Sequence, residues 1–269
     1  MIYIVNKNIE HDFIKTILDI LKIENSYIEL DLAEVDNLIN NSEYDGIFLP
    51  FTFNEYLKKH FEKEYNKLFN CSDFITYFDG KHIIKNSVYL GIKEFIKNEN
   101  LSLDKKTVLI LGSSNIAISL YNAIKDVGNP VVYISTITDE LDTKLRVGDR
   151  KIRKIEIMNL LKSDFIINTT ELGNSKAINT SMLEGVNMIP TQYAIDLLVL
   201  PLKTSFLRKY ELDNSKIYTG LYILIYRVLA VLGYKSFEKV NEIYNKIIEG
   251  GINFNELWQI RWNSKTFIL

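Results

Sequence analysis

The chain has 269 residues, 47% of them hydrophobic and 25% charged, and a formal net charge of −2. That length and composition exclude a disordered chain and allow one large core or two modest ones, while the near-balanced charge leaves no basic field for nucleic acid. The single cysteine, Cys71, excludes an intrachain disulfide and a cysteine-based metal site, and the three histidines, His11, His60 and His82, are scattered.

From the first residue, short β-rich apolar runs alternate with amphipathic stretches, the pattern of strands that cross over through helices into a parallel sheet. IYIV (2–5), SYIEL (26–30) and GIFLP (46–50) read as strands, and HDFIKTILDILK and FNEYLKKHFEKEYNKLF as helices. SDFITYFDGKHII, with Asp79-Gly80 between two β-rich arms, reads as a hairpin. VYLGIKEFIKNEN then forms a helix that runs into the polar stretch NENLSLDKK, the expected domain boundary. A second series follows: a strand at TVLILG (107–112), a helix over 116–127, and strands at PVVYIS (130–135), DFIINTT (164–170) and QYAIDLLV (192–199). From Thr219 the chain reads as helical, through GLYILIYRVLAVLGY, FEKVNEIYNKIIEG and FNELWQIRW. The first of these is too short to span a bilayer and is expected as a buried helix. No run of about 18 apolar residues occurs and the N-terminus lacks a signal-peptide pattern, so a cytoplasmic protein with no membrane partner is expected.

Four motifs occur in order: DGIFLPFTFNE (45–55), NTTELGN (168–174), DLLVLPLKTSFL (196–207) and GLYILIYR (220–227). Together they resemble the shikimate dehydrogenase family, whose members write G-x-N-V-T-x-P-x-K-E, N-x-T-x-x-G-M, D-x-x-Y-N-P-x-x-T-x-x-L and G-L-x-M-L-x-x-Q at these places. The resemblance implies an N-terminal α/β substrate-type domain over 1–98, to which 236–269 return as helices, a Rossmann-type NADP domain over 99–235, and an active site in the cleft between them.

The family's acid–base pair is a lysine in the first motif and an aspartate in a later N-T-D. Here those positions are Thr52 and Val88, the latter in Asn86-Ser87-Val88. A threonine exchanges no proton near neutral pH and a valine has no hydrogen-bonding group, so no catalytic residue is assigned. Lys58 and Lys59 lie about 9–10 Å further along the helix and do not replace the lost lysine. The family's S-x-S loop for the substrate carboxylate has no counterpart in IYIVNKNIEHDF, its N-T before the hairpin becomes Ile75-Thr76, its Y-N-P tyrosine Val199 and its C-terminal glutamine Arg227. Thr52, Thr76, Asn86 and Arg227 remain as candidate cleft residues.

At VLILGSSNIA the fingerprint glycines fall on Gly112, Ser114 and Ala117. The turn is kept, but a side chain at the second position occupies the place of the pyrophosphate. At the end of the next strand, where the family has N-R-T, stand Ile134, Ser135 and Thr136, without the arginine that meets the 2′-phosphate. Gly112, Ser114, Asn115, Ser135, Thr136, Thr169 and Thr170 would face a cofactor, and the expectation is no cofactor or weak NADP.

Gly112, Pro50, Gly173 and Pro201 with Thr204 each also have a structural use in turns, strand stops or caps. Arg227, inside an apolar helix, needs an anion, an acidic partner or solvent. Three functions stay open: a shikimate dehydrogenase-like protein without the family's chemistry that binds an unknown small molecule or a protein partner, an NAD(P)-dependent oxidoreductase with a changed substrate and a relocated group such as Tyr193, Tyr222 or Arg227, and a structural subunit.

Overall fold

The structure, a computed structural model, describes residues 1–41, 43–68, 71–136, 145–174 and 176–250. Its strands form two sheets, one drawn wholly from residues before the polar stretch at 98–106 and one wholly from residues after it.

The first sheet contains β1 (Ile2–Val5), β2 (Asn25–Ile28), β3 (Gly46–Phe48), β4 (Phe74–Phe78) and β5 (Lys81–Lys85), in the order β2-β1-β3-β4-β5. The first three are parallel, as the crossover helices require, and β4 and β5 form the antiparallel hairpin. Asp79 and Gly80 both have positive φ, 50° and 74°, the backbone that an Asp-Gly hairpin turn supplies. The second strand stops at Ile28, short of the expected Leu30, because the side chain of Asn6 takes over both backbone groups of Leu30, at 2.8 and 3.0 Å.

Helix α1 (Ile9–Ile20) is capped by Asn8, whose side chain accepts from the backbone N–H of His11, and it buries Phe13, Ile14, Ile17 and Leu18. A helix not read from the sequence, α2 (Leu32–Asn41), buries only Val35 and Ile39 among its described side chains, a stripe too narrow to stand out in the pattern. The expected long helix over 53–69 is two, α3 (Asn54–His60) and α4 (Glu62–Lys67), because the backbone turns at Phe61. Asn86 caps α5 (Ser87–Asn98), which leads into the connection.

The second sheet is fully parallel: β6 (Thr107–Leu111), β7 (Val131–Thr136), β8 (Arg150–Arg153), β9 (Phe165–Asn168), β10 (Tyr193–Asp196) and β11 (Lys216–Tyr218), in the order β11-β10-β9-β6-β7-β8. One face, with Val108, Ile110, Val132, Ile134 and Ile167, is covered by α5 and α6 (Asn115–Val127), together with the later α9 (Gly220–Val231). The other, with Leu109, Leu111, Ile152 and Ile166, packs under α7 (Lys154–Ile157) and α8 (Ser205–Leu212). Both faces being covered explains the near-continuous apolar strands. The edge strand β8, whose only buried side chain is Ile152, carried no such signal and was not read from the sequence, nor were α7, α8 and β11.

After β11 the chain returns. Helix α9 packs on α5 and α1, and α10 (Val240–Glu249) packs on α9 and α1, so the C-terminal helices lie back on the first domain. This return already begins with α9, ahead of residue 236. The expected helix FNELWQIRW lies outside the described residues. Among the described residues no helix is long and apolar enough to cross a membrane.

Candidate functional site

Strand order in the second sheet reverses at β6, which lies between β7 and β9 although β7 follows it in the chain. The crevice beyond the carboxyl ends of strands at such a reversal is where open α/β sheets bind ligands. Gly112 follows β6 there, and Thr169 and Thr170 follow β9. Facing them across a cleft of about 360 Å³ stand Asn8 and Glu10, at the start of α1, and Phe51. The loop after β10, Leu197–Leu200, lines one side, and Arg227 of α9 lines the cleft from the first domain.

Gly112 holds a φ of +117°, and a Cβ on it would come within 2.4 Å of Thr169 Oγ1, so the turn depends on glycine twice over. Thr169 Oγ1 donates to the carbonyl of Leu111 at 2.8 Å, which ties the ends of β6 and β9 together. Gly220 serves the same close approach on the other side, since a Cβ there would sit 2.1 Å from the carbonyl oxygen of Leu198.

The inner wall of the cleft is an ion network. Arg227 donates to both oxygens of Glu10, at 2.7 and 3.2 Å, to Asp73 at 3.1 Å and, through Nε, to Ser87 Oγ at 3.0 Å. Ser87 also gives its backbone N–H to Asp73 Oδ1 at 2.8 Å and its hydroxyl to Asp73 Oδ2. Arg227 and Asp73 are buried, with side-chain exposures of 5% and 7%, whereas Glu10 is 29% exposed. Burial raises the Asp73 carboxyl above the ordinary carboxylate value, against the pull of Arg227 and the Ser87 donors. Burial also works against the Arg227 charge, but Glu10 and Asp73 outweigh it and keep the guanidinium firmly protonated. Beside them, burial lowers the pKa of the His11 imidazole, opposed by Glu10.

A second buried acid stabilises the loop after β10. Asp196, wholly enclosed, accepts from Asn168 at 3.0 Å, from the backbone N–H of Leu198 at 3.0 Å and from the Thr204 hydroxyl at 2.6 Å. Burial raises its pKa to about 6 in spite of those three donors. Thr204 in turn caps α8 by accepting from Leu207 N–H, so it has the structural use its motif allowed.

Several residues singled out in the sequence stand elsewhere. Thr52 is exposed and lines a separate depression with Asn6 and Leu30, while its neighbour Phe51 turns into the cleft. Val88 is wholly buried in the main core. Thr76 lies further along β4 towards the hairpin tip, and its hydroxyl donates to the carbonyl of Asp45, so it is not a cleft residue. Asn86 is buried and fully engaged, capping α5 through Tyr89 N–H and donating to the Leu68 carbonyl and Ser119 Oγ.

Ser135 does not face a cofactor either. Strand alternation places it between Leu111 and Ile152 on the side away from Ile134, fully buried, with an Oγ that has no hydrogen-bond partner. Thr136 is buried at 5% exposure. Ser114, whose side chain was expected in the place of the pyrophosphate, is the exposed N-cap residue of α6 at an unstrained φ of −67°, and Asn115 beside it is also exposed. The Ser114 side chain therefore does not strain the turn, and Ser135 is enclosed in the core. Tyr193 stacks on Phe165 and Tyr222 donates to Glu99, so neither is a relocated cleft group. Arg227 does line the cleft, but its charge is met by carboxylates of the chain and not by a free anion site.

Asn8, Glu10, Phe51, Glu171, Asn174 and Lys176 line the cleft and Asp73 stands behind Arg227, none of them disclosed as a site residue by the sequence. The one available signal was Asp73 at the start of an apolar hairpin arm, where an acid requires a buried partner. Among the described residues no group of three or more His, Cys, Asp or Glu could hold a metal ion.

Two sheets that flank a cleft, one of them fully parallel with a Rossmann-like strand order, define a two-domain α/β protein. No family model matches the chain. It is 25% identical to the shikimate dehydrogenase (NADP+) of Caldicellulosiruptor bescii over 248 residues, covering 85% of this chain and 86% of that protein. Among solved structures, shikimate dehydrogenase 1 of Peptoclostridium difficile superposes with a TM-score of 0.72 at 21% identity, over 94% of this chain and 98% of that one. The quinate dehydrogenase of Corynebacterium glutamicum, in complex with NAD, superposes with a TM-score of 0.71 at 10% identity, over 91% and 98%. Over most of its length the chain is thus similar to shikimate dehydrogenases, in sequence and in fold.

Proposed function

We propose that this protein has kept the two-domain cleft of shikimate dehydrogenases without their oxidation chemistry, and that it binds an altered small ligand there with no cofactor or weakly held NADP. The observation that carries the reading is the network of Arg227, Glu10, Asp73 and Ser87, in which charge is satisfied within the chain. Thr52 on the outer surface and Val88 in the core support it, because neither can pass a proton to or from a substrate hydroxyl. Loss of a positioned acid–base group alone removes about 10²- to 10⁴-fold in rate. The test is NADP-dependent oxidation of shikimate and quinate by the purified chain, with a calorimetric titration of NADPH. No turnover and an NADPH affinity weaker than micromolar are expected, and turnover at an ordinary dehydrogenase rate overturns the reading.

A second reading, an NAD(P)-dependent oxidoreductase with a changed substrate, is favoured by one observation. The Gly112 turn is intact and Ser114 is exposed at an unstrained φ, a backbone that suits approach of a pyrophosphate. Micromolar binding of NADH or NADPH in the same titration would select it.

A further inference from the structure

At the inner wall of the cleft Glu10 stands more open to a ligand than Arg227 does. The arginine is 5% exposed against 29% for the glutamate, and all its nitrogens are engaged, two with Glu10, one of these also with Asp73, and the third with Ser87. A guanidinium whose fork is open takes a carboxylate from solution in bidentate fashion. Here the fork is filled by a carboxylate of the same chain, held in the first turn of α1. An ionised carboxylate accepts hydrogen bonds only and repels a second anion. Elsewhere the lining holds the apolar Phe51 and the loop from Leu197 to Leu200, the uncharged polar Asn8, Thr169, Thr170 and Asn174, and the exposed Glu171 and Lys176, whose opposite charges offset each other.

We propose that Glu10 is the built-in occupant of a carboxylate seat on Arg227, so that the cleft takes an uncharged or cationic ligand and rejects carboxylic acids. Hydroxyl or ammonium groups of that ligand face Glu10, and its apolar side lies along Leu197–Leu200. The inference rests on the reading of this cleft as a ligand site without dehydrogenase chemistry.

The experiment uses the full chain, as wild type and as Glu10→Ala and Glu10→Gln variants. The probes are shikimate, its uncharged methyl ester and propionate, read by calorimetric titration and by the thermal unfolding midpoint. Wild type binds the methyl ester more tightly than shikimate, by about 10- to 100-fold, the value of one charge-assisted hydrogen bond. Glu10→Ala empties the seat, which reverses that order and makes the unfolding midpoint rise with propionate concentration. Glu10→Gln keeps the seat filled and shows no response to propionate. A wild type that prefers shikimate to the ester overturns the inference, and so does a folded Glu10→Ala protein indifferent to propionate. The wild-type comparison decides the matter even where Glu10→Ala does not fold. Tighter binding of shikimate than of its ester by the wild type, without oxidation, fails this inference alone, whereas oxidation of shikimate fails the reading beneath it.

Discussion

The Cβ that Gly91 lacks would stand 2.5 Å from the Cα of Arg227 and 2.6 Å from its Cγ. Helices α5 and α9 therefore touch backbone to backbone at the level of the cleft network. Alanine is intrinsically better than glycine in a helix by about 1 kcal/mol, so Gly91→Ala would stabilise an uncrowded helix. Here the helices must separate, and the variant is expected to lose about 2 kcal/mol or more. The midpoint of a urea unfolding curve measures it, and a neutral or raised midpoint would contradict this contact.

Arg227→Met removes the charge that Asp73 and Glu10 share. Breaking a buried pair in this way costs about 3–5 kcal/mol, because the remaining carboxylate is left uncompensated. The cost has a sign in pH. Burial already raises Asp73 above the ordinary carboxylate value, so its folded form binds a proton more readily than its unfolded form. Acidification neutralises the stranded group, and the deficit of Arg227→Met relative to wild type shrinks from pH 7 to pH 5. Urea curves at the two values, giving the same deficit at both, would refute this account.

Asp196 provides a second pH-dependent test. Its folded pKa of about 6 lies above the unfolded carboxylate value near 3.9, so its contribution to stability is complete below about pH 4 and is lost as pH rises through 6. Two pK units amount to about 3 kcal/mol at 1.36 kcal/mol each. Asn at this position keeps an acceptor for Asn168 and Leu198 N–H and offers a donor to Thr204. Asp196→Asn is expected to match wild type near pH 4 and to exceed it by up to about 3 kcal/mol at pH 7. A constant difference across that range would show that the carboxyl does not titrate there.

Restoring the family's lysine at Thr52 is expected to do nothing. The side chain is exposed and lines the depression with Asn6 and Leu30, outside the cleft. Thr52→Lys should stay within about 0.5 kcal/mol of wild-type stability, as surface changes do, and give no NADP-dependent oxidation of shikimate. Measurable turnover in this single variant would place residue 52 at the reacting groups.

The sequence disclosed most of what periodicity controls. The parallel strands of the second sheet are buried on both faces and so appear as unbroken apolar runs, and the Asp79-Gly80 turn is marked by its own chemistry. The thin helix α2 and the edge strand β8 bury too little to leave a pattern. The site was less legible. Gly112, Thr169 and Thr170 could be placed because they lie next to strong strands, and Arg227 because a charge inside an apolar helix is conspicuous. Its partners could not be read, since Glu10 and Asp73 lie 217 and 154 residues away along the chain and nothing local marks their convergence. Motif matching also carried Thr76, Asn86 and Ser135 into the site, which strand direction at Thr76, the engaged side chain of the helix cap Asn86 and side-chain alternation at Ser135 place outside it.

Glu99, at the end of α5, accepts from the hydroxyls of Tyr218, Tyr222 and Tyr226 at 2.8, 2.7 and 3.1 Å, and Lys216 stands 3.6 Å from it. One carboxylate at the exit of the first domain thus clasps the last strand of the second and the helix that comes back from it. The covalent link between the domains is consequently not what keeps them side by side. A backbone cut made in the polar connection at 100–106 would leave two fragments fastened by this clasp and by α9, which should co-elute as one species and separate only in denaturant.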